Sequence, residues 1–235
     1  MDMLTWVSSY PRSGNRLVRE IIHFLENGTG IFKDTVPDYH ELGNIGTSPY
    51  CKIHSLYDNL PKIDCKIIYV LRNPFDVLNS AINYLKNFDK KKLSNNFIKN
   101  FATQNGYIEE WKKWGSYRKH ASSFLLSRKL TINNLLIVQY ENLIIEKSRE
   151  VRRIAHFINK KVTEDKINEI LVRTNFNFLK SKEPLNVVLN KGKILNLIDN
   201  IDHDEVMQIT EFYQDLLNEV KICRSIDLKK FIYEN

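Results

Sequence analysis

The stretch from Leu4 to Arg16, LTWVSSYPRSGNR, constrains what this chain can fold into more than any other. It opens apolar and β-prone, then breaks at a proline and a glycine set among small hydroxylated residues. From there Leu17, Val18, Ile21, Ile22 and Leu25 recur at helical spacing, so the turn joins a strand to a helix. A turn so placed aims backbone N–H groups at one point, with the positive end of a helix behind them and Arg12 and Arg16 alongside. Two readings follow. The turn is a cradle for phosphate or sulfate, or it is an ordinary connection whose arginines are solvated.

Further along, Tyr50 to His54 reads as a short strand, followed by a turn through Asp58, Asn59 and Pro61. Lys66 to Leu71 is a near-continuous apolar run, the pattern of a strand covered on both faces. It stops at Arg72-Asn73-Pro74, where Pro74 suits the first turn of a helix and Asn73 its cap. That helix carries Val77, Leu78, Ala81, Ile82 and Leu85 on one face. Residues 94–129 are helical in character, interrupted near Gly106 and Gly115. Leu135 to Val138 is a third buried-strand pattern, ending at Gln139-Tyr140-Glu141. Helices are predicted over 148–158, 163–172 and 204–220, and residues 27–50 and 175–200 read as looser excursions. Strands alternating with helices imply an α/β fold: one domain over residues 1–235, with a central, mostly parallel sheet flanked by helices. In such sheets ligands sit at the carboxyl ends of the strands. The turns at Arg12 and Arg72 both lie at such ends, which favours an anion site.

Composition narrows the classes. A formal net charge of +7 favours an anionic partner without choosing which. Three cysteines without paired spacing argue against a disulfide framework and for a reducing compartment. The first strand begins so early that no signal peptide is expected, and no window approaches the roughly 20 apolar residues of a membrane span. The expectation is a cytoplasmic protein that engages neither membrane nor nucleic acid. No His/Cys/Asp cluster has metal-ligand spacing, so no metal is expected. The chain holds neither GxxxxGK[ST] nor GxGxxG, which disfavours a nucleoside triphosphate kinase or a nicotinamide enzyme.

Arg72 and, further along the same helix, Ser80 form a plausible phosphate clamp, an arginine fork plus a hydroxyl. The competing reading pairs Arg72 with Asp76 at the helix start. His54 ends its strand two positions after Lys52, so both project from one face. A neutral histidine there can accept a proton from an alcohol near pH 7, with a nearby cation supporting the charge that develops opposite it. The other histidines (His23, His40, His120, His156 and His203) read as structural.

Taken in order, these segments resemble the cytosolic-type sulfotransferases that use 3′-phosphoadenosine 5′-phosphosulfate (PAPS). Tyr10-Pro11-Arg12-Ser13-Gly14 resembles their YPKSG loop, and Lys52-Ile53-His54 their KTH segment. Lys66 through Ser80, KIIYVLRNPFDVLNS, resembles their KxxYVxRNxxDxxxS block. Tyr140-Glu141-Asn142-Leu143 is similar to YEDL, Thr174-Asn175-Phe176 to TSF, and Lys191-Gly192 to the tail of RKG. The resemblance implies a P-loop-like phosphosulfate-binding turn after the first strand. Arg12, Ser13, Gly14, Asn15 and Arg16 would grip the 5′-phosphosulfate. Arg72 and Ser80 would hold the 3′-phosphate, helped by Lys191 and Gly192, and Tyr140 and Phe176 would contact the adenine. His54 would be the catalytic base, with Lys66 near the transferring group. The product would be adenosine 3′,5′-bisphosphate, no metal would be needed, and the acceptor would be a small molecule bearing a hydroxyl or amine.

The chain departs from the pattern in places. Arg12 stands where the family usually has lysine, Arg16 replaces a threonine, and Leu17 replaces the tryptophan that stacks on adenine. Asn190 replaces the arginine of RKG, and Leu197 a tryptophan that often closes that motif. These departures motivate an alternative, a non-catalytic or repurposed nucleotide-binding protein of the same fold. A nucleic-acid-binding protein rests on net charge alone. Segments 27–50, 83–107 and 181–189 are candidate walls of an acceptor pocket, with Phe32, Tyr39, Tyr84, Phe88 and Tyr107 among their aromatics. Asp34, Asp38 and Glu41 could attract a cationic acceptor. Oligomeric state is not legible.

Overall fold

The computed structural model describes residues 4–26, 49–60, 62–87, 92–93, 96–103, 108–175 and 201–224. Its centre is a four-stranded parallel sheet of β1 (Thr5–Ser9), β2 (Tyr50–Ile53), β3 (Lys66–Leu71) and β4 (Leu135–Gln139), in the order β2-β1-β3-β4. Parallel neighbours cannot be joined by tight hairpins, so every connection crosses over the sheet. The chain leaves β1 for one neighbour, β2, and then returns to its other side as β3. The change of direction lies at β1, and a crevice opens there beyond the strand ends.

The helices are α1 (Asn15–Leu25), α2 (Pro74–Asn87), α3 (Phe97–Ala102), α4 (Tyr117–Leu125), α5 (Tyr140–Ile145), α6 (Lys147–Phe157), α7 (Glu164–Arg173) and α8 (His203–Arg224). Single 3-10 turns occupy Tyr57–Asn59 and Glu109–Trp114. These bounds agree closely with the sequence pattern. Asn73 caps α2 as expected, its Oδ1 accepting from Phe75 N at 2.9 Å.

The strands' two-residue period divides the core in two. Trp6 of β1 and Ile67, Tyr69 and Leu71 of β3 face one cluster with Val77, Leu78, Phe101, Tyr117, Phe124 and Leu216. Val7, Ile68 and Val70 face the other, with Val18, Ile21 and Ile22 of α1 and with Ile154 and Ile170 of α6 and α7. Each fully buried Ile or Leu contributes about 1.5–3 kcal/mol, so both faces of β1 and β3 are held by apolar burial.

Two expectations change in detail. The segment from Leu135 is an edge strand among the described residues, with Leu136 and Ile137 only partly buried, so it is less covered than its composition suggests. Tyr140 and Glu141 are not the end of that strand but the first residues of α5.

Candidate functional site

All four strands run in one direction, so their carboxyl ends form one edge. Tyr10 follows β1, His54 follows β2, Arg72 follows β3 and Tyr140 follows β4. The sheet itself thus brings together four of the segments singled out from sequence.

After β1 the backbone turns tightly through Tyr10 to Gly14. Ser13 N donates to Tyr10 O at 3.2 Å, and both Arg12 (φ 70°) and Gly14 (φ 97°) adopt left-handed conformations. Gly14 occupies the N-cap position of α1, and no side chain caps that helix. The first-turn N–H groups therefore face the concavity of the loop. Gly14 is required for a second reason. A Cβ there would lie 2.3 Å from Cδ2 of Tyr140, so the loop rests directly on that ring.

Tyr140 in turn carries Arg72, whose guanidinium carbon lies 4.1 Å from the ring centroid. Arg72 Nη1 donates to Arg12 O at 3.0 Å, and Tyr117 Oη donates to Arg72 O at 2.5 Å. Glu141, buried beside them, accepts from Asn73 N at 2.9 Å, and burial raises its carboxyl pKa. Arg12 reaches across to α2. Its Nε donates to Ser80 Oγ at 3.1 Å, and its guanidinium lies 4.7 Å from the Tyr84 ring centroid. Burial, opposed by Tyr84 and reinforced by repulsion from Arg72, lowers the Arg12 pKa. Two guanidinium groups brought together at a partly buried sheet edge form an electrostatic site for an anion. Two buried polar atoms beside the loop, Ser13 Oγ and Arg72 Nε, have no hydrogen-bond partner among the described residues. Orphaned donors of this kind call for a ligand.

His54 is 9% exposed, and its Nδ1 lies 2.7 Å from Ser9 O. A carbonyl only accepts, so Nδ1 carries the proton and Nε2 keeps the lone pair. Burial, with the Lys52 ammonium as the next cause, pushes the His54 pKa down to about 3 against the opposing effect of the Ser9 bond. The imidazole is therefore neutral at pH 7. Trp114 flanks it edge-on, with ring centroids 5.5 Å apart.

The structure thus assembles Arg12, Ser13, Gly14, Arg72, Ser80, Tyr140 and His54 at one edge. Asn15 and Arg16 belong to the same turn, but their side chains point elsewhere. Asn15 Nδ2 donates back to Val7 O at 2.9 Å, and Arg16 Nε lies 3.7 Å from Glu20 Oε1. Leu17 packs against the apolar cluster over α1. Phe176, Lys191 and Gly192 lie outside the described residues, as do Asn190 and Leu197, the acidic trio Asp34, Asp38 and Glu41, and the aromatics Phe32, Tyr39, Phe88 and Tyr107.

Lys66 is a correction. It is the first residue of β3, paired with Thr5, so it sits at the amino edge of the sheet, and its Nζ donates to Phe157 O at 2.6 Å. At about 3.3 Å per residue, the six steps from Lys66 to Arg72 put it roughly 20 Å from the turn at Arg72. A strand cannot present both of its ends to one site. The cation that acts most strongly on His54 is Lys52, ahead of Arg19. Sequence reasoning also passed over Trp114 as a neighbour of His54 and read His120 as merely structural. Yet His120 Nε2 lies 2.9 Å from His54 O.

No group of three or more His, Cys, Asp or Glu among the described residues is placed to hold a metal, and no described helix is long and apolar enough to cross a membrane.

A family model described as the sulfotransferase domain matches residues 2–221. Sulfotransferase 2A6 of Mus musculus is 25% identical over 207 residues, covering 79% of this chain and 69% of that protein. The 3-alpha-hydroxysteroid sulfotransferase of Cavia porcellus is 25% identical over 209 residues, covering 80% and 70%. Among solved structures, mouse sulfotransferase SULT7A1 complexed with PAP superposes with a TM-score of 0.76 at 20% identity, covering 99% of this chain and 90% of that one. Retinol dehydratase in complex with androsterone and inactive cofactor PAP gives 0.74 at 18% identity, covering 96% and 82%.

Proposed function

The chain belongs to the sulfotransferase family, and we propose that it transfers a sulfonate group from PAPS to a hydroxyl or amine of a small acceptor, with His54 as general base. The observation that carries this reading is the pairing of a neutral, Nδ1-protonated His54 with two arginines, half-buried Arg12 and buried Arg72, at the same sheet edge.

The residues present fit the donor. Among the described residues, Ser13 Oγ and Arg72 Nε are buried donors without a partner, and the α1 terminus has no side-chain cap. Arg12, Ser13 and the first-turn amides of α1, including those of Asn15 and Arg16, would hold the phosphosulfate. Arg72 and Ser80 would hold the 3′-phosphate with Lys191 and Gly192, and Tyr140 and Phe176 would flank the adenine. When bound, PAPS supplies an electrophilic sulfur whose bond to the bridging oxygen breaks as the bond to the acceptor forms. Nε2 of His54 accepts the acceptor's proton in that step, and the electron pair of the broken bond leaves with adenosine 3′,5′-bisphosphate. Lys52 and Arg12 stabilise the charge that develops on the group in flight and on the departing phosphate. An anion in the loop offsets the field of Lys52 and raises the proton affinity of His54, which makes it a better base once the donor is bound. Trp114 beside the imidazole offers the acceptor an apolar wall.

The test is His54→Ala. Sulfonate transfer should be abolished while calorimetric binding of adenosine 3′,5′-bisphosphate stays nearly intact. Unchanged turnover would remove His54 from the role.

A further inference from the structure

We propose that Tyr69 and His120 are positioning residues for His54, linked to it in a chain of hydrogen bonds that runs from Ser9 to Tyr69 and fixes the base relative to the anion loop. This rests on the reading of His54 as the base. The chain of bonds can be traced atom by atom. His54 Nδ1–H donates to Ser9 O at 2.7 Å. His54 O accepts from His120 Nε2–H at 2.9 Å. With that nitrogen protonated, His120 Nδ1 is the acceptor and takes the Tyr69 hydroxyl proton at 3.0 Å. Ser9 lies on β1 and Tyr69 on β3, which are paired directly, so this run of bonds is anchored in the sheet at both ends.

Packing alone does not explain a histidine at position 120. The side chain is fully buried among Tyr10, Tyr69 and Phe124, with centroid separations of 5.6, 5.8 and 5.5 Å. A phenylalanine would pack there without the cost of burying two polar nitrogens. What histidine adds is a donor for the His54 carbonyl. The β1–β2 ladder ends at the Ser8–Ile53 pair, so that carbonyl lies one residue beyond it. The far nitrogen of His120 then needs a donor of its own, and Tyr69 supplies it from the neighbouring strand's buried face. Every member is satisfied, which is the condition under which a buried polar network is rigid.

The experiment compares His120→Phe, His120→Gln and Tyr69→Phe with the parent protein. Two-bond proton–nitrogen spectra of the unliganded protein report imidazole tautomers, calorimetry reports adenosine 3′,5′-bisphosphate affinity, and steady-state kinetics report turnover. In the parent, His54 should be protonated at Nδ1 only and His120 at Nε2 only. In folded His120→Phe the His54 signals should average between tautomers, and kcat should fall about 10- to 100-fold with bisphosphate affinity held to within about twofold. His120→Gln, whose amide can still donate to His54 O, should recover much of the loss, and Tyr69→Phe should fall between the two. Parental kcat in folded His120→Phe and Tyr69→Phe overturns the proposal, as does equal loss in the Phe and Gln variants with the His54 spectrum unchanged. Failure of the base reading looks different, because there His54→Ala itself keeps its turnover.

Discussion

Replacing Gly14 by alanine perturbs one atom, and the structure says what that atom meets. The backbone at φ 97° is left-handed, which costs an L-residue about 1–2 kcal/mol. The added Cβ would also lie 2.3 and 2.8 Å from two carbons of the Tyr140 ring. The ring must shift to accept it, and overpacking of this kind costs about 1–3 kcal/mol. Together these give about 2–5 kcal/mol, or a fall in Tm of roughly 10 °C for a domain of this size. Gly115 supplies the control. It too has a positive φ, 72°, but with ψ −166°, a backbone region essentially confined to glycine, and its Cβ would meet only the flexible Lys119 side chain at 3.5 Å. Gly115→Ala should therefore lose stability through backbone strain alone, about 1–3 kcal/mol. What separates the two variants is the ligand site, which only the clash at Gly14 reaches. Because Tyr140 carries Arg72 on its face, the same variant should bind adenosine 3′,5′-bisphosphate more weakly, and Gly115→Ala should not. Differential scanning fluorimetry and calorimetry read both quantities. Equal melting temperatures for the two variants, with unchanged affinity, would refute the account of the loop as resting on Tyr140.

Acid should weaken the fold through two buried imidazoles. Burial keeps His54 neutral down to about pH 3 and His120 down to about 4, whereas the unfolded chain protonates both near 6.5. The unfolded state thus binds more protons below pH 6.5, and stability falls as pH drops from there toward 4, by about 1.4 kcal/mol per unit for each group. Denaturant midpoints measured across that window should show the slope, and His120→Gln should remove one histidine's share of it. An identical slope in that variant would contradict the assignment. Lys66→Met should leave turnover near the parental value, since that side chain is tied to Phe157 at the far edge of the sheet, while Lys52→Met should lower kcat. Steady-state kinetics showing the reverse order would restore Lys66 to the site.

Much of the architecture is written in local pattern. The unbroken run from Ile67 to Leu71 marked a two-faced strand, and the Asn73-Pro74 pair marked the start of α2. Both follow from short-range chemistry that needs no knowledge of the fold. The loop at Arg12 was equally legible, because its proline, serine and glycine have few other uses between a strand and a helix. Lys66 lies at the other end of its strand; a motif written along one line does not say which end of the strand faces the crevice. Two residues of register settle that for Lys52 and His54, and six residues of strand settle it against Lys66. His120 carried no sequence signal at all. Its role depends on a carbonyl 66 residues away in sequence, exposed by the end of a ladder that only the assembled sheet defines.

β1 is hydrogen-bonded on both sides and buried on both faces, with all five of its residues out of contact with solvent. Opening it would expose both apolar clusters at once, so its amides should exchange with solvent only through global unfolding. The loop proposed to cradle the anion is thus attached to a strand that is paired on both sides and buried on both faces. Its amides and guanidinium groups are already in place before a ligand arrives, and little free energy is lost to ordering them on binding. A phosphosulfate held there meets a surface with almost no freedom to follow it, so selection between donors falls to the shape and charge of the cradle itself.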